Sequence, residues 1–167
     1  MYNVAVLIEK QLEEIDAQQI VSLHDTLEDE GYANVSYHVI LPVESSTAIM
    51  ASALSVLGGG EILPMSAGEE LEEISEEIRR QGQSELDASV ELLRPLDPDV
   101  KGYLAYDDPL DELEEIVKQQ DIAEVIIITS PHLVAEFFRL DWTSRARRKL
   151  KVPTLHLLEH LPFEAQR

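Results

Sequence analysis

Four short stretches of the chain are candidates for chemistry, three through their side chains and one through its backbone, and none holds a thiol, because the sequence has no cysteine. Disulfides, thiolate nucleophiles and cysteine metal sites are thereby excluded, which leaves oxygen and nitrogen donors. The first stretch is Glu9-Lys10, directly after the apolar run Val4–Ile8. The second is Thr129-Ser130-Pro131-His132, directly after the run Val125–Ile128. Thr129 or Ser130 can cap a following helix with Pro131 in its first turn, so that free N–H groups point outward, as anion binding requires. The third stretch, Asp141-Trp142-Thr143-Ser144, leads into Arg145, Arg147, Arg148 and Lys149. Thr143 or Ser144 can cap a second helix, and Arg145 suits the two-pronged grip of a phosphate or carboxylate. His132 can donate to a phosphate and Trp142 can stack on a base. Each also has a plainer reading: an exposed first-turn histidine, a tryptophan sealing a helix start, and a basic helix solvated among acids. The fourth stretch, Gly58-Gly59-Gly60, lacks the Lys-Ser/Thr and the strand-to-helix setting of a phosphate loop and reads as a flexible connector.

Strands and helices must bring these stretches together. Val4–Ile8 and Val125–Ile128 are continuous and rich in β-branched residues, as central strands of a parallel sheet are. Val35–Leu41 alternates, with Ser36 and His38 opposite Tyr37 and Val39, and Thr154–Leu158 alternates likewise; both read as less buried strands. Val100–Tyr106 is a weaker strand, diluted by Lys101 and Gly102. Between them lie helical patterns. Ile20, Leu23 and Leu27 repeat at helical spacing and Gly31 ends the run. Leu71, Ile74, Ile78, Gly82, Leu86, Val90 and Leu93 share one long face, stopped by Pro95. Asp108-Pro109 starts a third helix through Leu110, Leu113 and Val117, with the aspartate as its cap. A fourth pattern follows Val125–Ile128. His156 and His160 are four apart, but the first falls in a strand, so they share no helix face and give no metal site.

The resulting order predicts an α/β fold, a doubly wound five-stranded parallel sheet with right-handed crossovers and helices on both faces. A length of 167 residues suits one domain over 1–167. Residues 43–66, with a short Ala-rich helix over Thr47–Leu57, read as a variable loop or flap. Neither a membrane span nor a leader is legible, and the cytoplasm is expected. Thirty-three acids against 13 bases give a net charge of −20, which repels nucleic acids and anionic membranes. The charge is uneven: residues 136–167 hold 4 acids and 7 bases, six of the bases between Arg139 and Lys151. The run Glu69–Glu77 reads as the solvated face of a helix. Ligands of an open doubly wound sheet sit beyond the carboxyl ends of its strands, where the order reverses. If the first and fourth strands are neighbours, that crevice lies between Glu9 and the segment from Thr129 to Arg145. A small anionic ligand would fit there.

The stretch from Thr129 to Ser144, followed by a helix and by Lys151-Val152-Pro153-Thr154-Leu155, resembles the C-terminal signature of the universal stress protein family. That signature is a glycine, two residues, a glycine, nine residues, then a glycine with Ser or Thr. At the same spacing this chain carries Thr129, His132, Trp142 and Thr143, so the spacing and the hydroxyl are kept and the three glycines are replaced. At the end of the first strand Glu9 stands where ATP-binding members carry Asp. The resemblance implies a strand order of 3-2-1-4-5, a homodimer through the last strand, and a regulatory role in stress response. It implies a non-catalytic module with weakened, altered or lost nucleotide binding, requiring no cofactor, with ATP or another adenine nucleotide as a weak ligand. A nucleotide-handling enzyme of the wider adenine-nucleotide α-hydrolase superfamily and a ligand-free protein-interaction scaffold remain the alternatives.

Overall fold

A computed structural model of the protein describes residues 2–24, 34–43, 67–106, 108–129, 146 and 148–161. Among the described residues there are five strands: β1 (Tyr2–Ile8), β2 (Val35–Pro42), β3 (Lys101–Ala105), β4 (Ile122–Thr129) and β5 (Thr154–Leu158). All pair in parallel, in the order β3-β2-β1-β4-β5. The two continuous apolar runs are neighbours at the centre, with Leu7 opposite Ile127 and Ile8 opposite Ile128. Val4, Val6 and Val125 are wholly buried, as strands covered on both faces must be.

The described residues form the helices α1 (Glu14–Ser22), α2 (Ala67–Leu93) and α3 (Pro109–Gln119), and residues 148–150 are also helical. Their placement follows from crossover handedness. The chain moves one way through β1, β2 and β3, so α1 and α2 share one face, where Ile20, Leu86, Val90 and Leu93 pack on Val4, Val6, Val39 and Ile126. It then steps back across β1 to β4, which puts α3 on the other face. There Leu110, Leu113, Ile116 and Val117 pack on Ala5, Leu7, Ile40 and Ile127, together with Ala146 and Leu150.

Several sequence expectations change in detail. β2 is not half-exposed: Ser36 and His38 are 4% and 2% exposed. β2 lies inside the sheet between β1 and β3, and the His38 ring is satisfied by the Tyr103 hydroxyl, 3.1 Å from its Nδ1. β3 is one residue shorter at each end than the apolar pattern. α1 ends at Ser22, while Leu27, Gly31, the Thr47–Leu57 helix and, but for Val43, the 43–66 flap lie outside the described residues. The Asp108 cap is present, its carboxylate accepting the Leu110 N–H at 2.9 Å. The acids of the Glu69–Glu77 run are exposed.

Two polar clasps tie the ends of the sheet. At the amino end the His24 Nε2 lies 2.7 Å from Glu124 Oε1, its Nδ1 lies 2.9 Å from the Ile20 carbonyl, and Tyr2 donates to Glu124 at 3.1 Å. At the carboxyl end the buried Asp16 accepts the Glu13 N–H at 3.0 Å and the His160 N–H at 2.7 Å. The latter clasp holds the turn after β5 against the start of α1.

Candidate functional site

Parallel strands deliver their last residues to one end of the sheet. Where the order reverses, between β1 and β4, the following connections leave toward opposite faces and a crevice opens. A cavity of 180 Å³ lies at that point. β1 contributes Leu7 and Ile8, Glu9 follows directly after it, and β4 contributes Ile127, Ile128 and Thr129. Pro42 closes it from the end of β2 and Pro109 from the start of α3. The described wall is therefore aliphatic apart from one carboxylate and one hydroxyl.

The hydroxyl is held from behind. Thr129 is 3% exposed, and its Oγ1 lies 2.8 Å from His156 Nε2 on β5. The contact arises from sheet register: Ile127 stands opposite His156, so Thr129, two residues on, points to the same face. Burial holds the His156 imidazolium below its ordinary range, favouring a neutral ring with one donor nitrogen and one acceptor. The carboxylate side is different. Glu9 is half-buried, and the adjacent Lys10 points to Glu159, 3.5 Å away.

The helix start at the cavity is already occupied by its own cap. The N–H of Leu110 goes to the Asp108 carboxylate, and those of Asp111 and Glu112 go to the Asp108 carbonyl at 3.0 and 3.2 Å. With those donors engaged and carboxylates nearby, this wall suits an apolar ring carrying an amine or hydroxyl rather than a phosphate. The residues expected from sequence to meet an anionic group fall in the 130–145 segment. Ser130, His132, Trp142, Thr143, Ser144 and Arg145 lie outside the described residues. Glu9 and Thr129 do line one cavity. Pro42, Pro109 and His156 were not singled out for it from sequence. The prolines sit where a strand ends and a helix begins, which is a legible signal, whereas His156 needs the β4–β5 register. His160 belongs to the Asp16 clasp, and no group of described residues forms a metal site.

Among the described residues, no helix is long and apolar enough to cross a membrane. No protein-family model matches the sequence, and a search of curated proteins gives no match. Solved structures do match: the architecture is the α/β fold of universal stress proteins, shared over nearly the whole chain. The hypothetical protein MJ0577 superposes with a TM-score of 0.59 at 11% identity, over 95% of this chain and 97% of that one. A universal stress protein family protein from Arabidopsis thaliana with AMP bound gives 0.55 at 9% identity, over 96% and 93%. Universal stress protein UspA from Lactobacillus plantarum gives 0.53 at 14% identity, over 95% and 97%.

Proposed function

We propose that the protein is a non-catalytic regulatory module of universal stress protein type, cytoplasmic and homodimeric, whose crevice binds adenine nucleotides weakly or in altered form. The observation that carries this reading is the cavity between β1 and β4, apolar but for Glu9 and Thr129, on a fold whose Arabidopsis counterpart holds AMP. An adenine or ribose fits its chemistry: a flat apolar body with amine or hydroxyl edges for the Glu9 carboxylate. The weakening rests on position 129. A glycine there lets a phosphate reach the backbone, and Thr129 instead places a buried side chain, tied to His156, on the approach. Ser130, His132, Trp142, Thr143, Ser144 and Arg145 form the anion side in this reading, with a ligand phosphate toward Arg145 and its sugar toward Glu9.

Calorimetric titration with AMP and with ATP, with and without magnesium, tests it. The expected dissociation constant is well above 1 μM, so binding is weaker than about −8 kcal/mol. A value near 1 μM would show the replaced glycines to be tolerated and the nucleotide site intact. The enzyme alternative has one observation in its favour, the hydroxyl–imidazole pair of Thr129 and His156, which matches the first two members of a nucleophile–base relay. Release of phosphate or pyrophosphate from ATP that is lost in a Thr129→Val variant would establish that alternative instead.

A further inference from the structure

A second, larger cavity of 440 Å³, sharing no lining residue with the crevice, opens between α1 and the carboxyl end of α2. Its volume is within the roughly 300–1,000 Å³ of ordinary binding pockets. Ala17 and Val21, one turn apart on α1, form one wall; Leu92 in the last turn of α2 and Leu96 in the turn just beyond it form the other, with Pro95 between them in sequence. The sequence explains why the groove stays open. Pro95 cannot continue the helix, the chain turns away toward β3, and Leu96 is left 51% exposed at the lip. A leucine this exposed, beside three other apolar side chains in a concave surface, marks a place where another apolar surface docks.

The rim is acidic. Glu14 stands on the α1 side and Glu91 on the α2 side, with Gln18 and Ser22 as further polar groups. Arg94 pairs with Glu91 at 2.9 Å, but both side chains are at least half exposed, and an exposed pair of this kind contributes little and exchanges readily. Two apolar rows with acids along the lips are the complement of an amphipathic helix that carries leucine-like residues on one face and bases on its flanks. The net charge of −20 steers such a partner in and repels the anionic surfaces that would compete for it.

We infer that the α1–α2 groove is a docking site for a basic amphipathic helix of a partner protein. The inference does not depend on nucleotide binding, since the groove shares no residue with the crevice. It gives the regulatory module an output surface separate from its ligand site.

The test uses the full chain and a fluorescein-labelled helical peptide of leucine and lysine with its leucines on one face. A second peptide of identical composition, with the leucines spread around the helix, reports charge attraction alone. Fluorescence polarisation at physiological salt is expected to show the one-faced peptide binding about tenfold or more tightly, a difference of about 1.4 kcal/mol. Leu96→Lys, an exposed position whose change leaves the core untouched, should abolish that preference, as should Val21→Asn with Leu96→Asn. Glu14→Gln with Glu91→Gln should weaken both peptides. Equal affinity for the two peptides, or a preference that survives Leu96→Lys, overturns the proposal. A shift in self-association of the Leu96→Lys variant by sedimentation velocity also overturns it, because the groove would then be covered by a second copy of this chain.

Discussion

In the proposed reading the ligand chemistry turns on Thr129. Its side chain is almost wholly buried at the mouth of the cavity and held by His156. Replacing it with glycine removes that bulk and exposes backbone N–H to a ligand, at a cost of about 1–2 kcal/mol for the lost hydrogen bond and the freer chain. Thr129→Gly is therefore expected to lower stability yet tighten AMP binding by about 1–2 kcal/mol, the size of relieved overpacking. Calorimetry on both proteins reads this directly; an affinity that does not rise would mean that the side chain is not the obstacle. That Glu9 and Thr129 would lie together at the strand ends was legible in the sequence because each directly follows an uninterrupted apolar run, and both line the cavity there. His156 was not legible as Thr129's partner, since 27 positions separate them and only the register of β4 on β5 brings them together.

Titratable side chains make a second residue-scale prediction. Burial, aided by the Lys101 charge, pushes the His38 imidazolium below its ordinary 6.5, and burial does the same at His156. The unfolded chain then binds protons that the folded chain refuses, so stability falls as pH drops below about 6.5. Glu124 is held below its ordinary 4.5, first by the hydrogen bond from His24. Its contribution is present above that value and is lost as pH falls through the depressed one. Urea unfolding is expected to give a plateau near neutral pH, a decline below about 6.5 and a further decline below about 4.5. His38→Gln should flatten the upper decline and Glu124→Gln the lower. A stability that rises on acidification would contradict all three groups together.

At the scale of elements, helix α2 shows how a contact unseen in sequence fixes a residue. Gly82 falls on the apolar face of the helix, where its absence of side chain looks like a weakness. In the structure it is buried against Val43 just beyond β2, and a methyl group built there would overlap Val43 Cγ1. The Val43 backbone is held by its N–H donating to the Ala105 carbonyl at 2.8 Å, so relief must come from turning a β-branched side chain that is stiff about χ1. Gly82→Ala, normally favourable in a helix, should here cost about 1–3 kcal/mol, as overpacking does, and Val43→Ala should recover most of that loss. Thermal unfolding of the single and double variants measures it. The same distinction runs through the fold. β1, β4 and the Asp108 cap were legible because each is written in consecutive residues. β2 was misjudged because Ser36 and His38 alternate with apolar neighbours as in a half-exposed strand, while the group that satisfies His38 lies 65 positions away.

For the molecule as a whole, the sheet has two edges and they are unlike. β3 presents Lys101 and Gly102, a charge and a weak strand former, which discourage pairing. β5 presents Leu155, 37% exposed, on a strand of five residues with no cation among them. An apolar edge strand left open is an aggregation hazard, and twofold pairing of β5 with its counterpart removes it by joining two sheets across an axis. Lys149 engages Asp111 and Glu114 of α3, so part of the positive charge near β5 is neutralised within the chain. The protein is therefore expected to be a dimer by light scattering at tens of micromolar, an order-of-magnitude concentration for a standard interface. Leu155→Lys should shift it to monomer without unfolding it, since the side chain already faces outward. A wild-type protein that scatters as a monomer, or a Leu155→Lys variant that remains dimeric, would place the interface elsewhere and leave β5 to be protected by other parts of the chain.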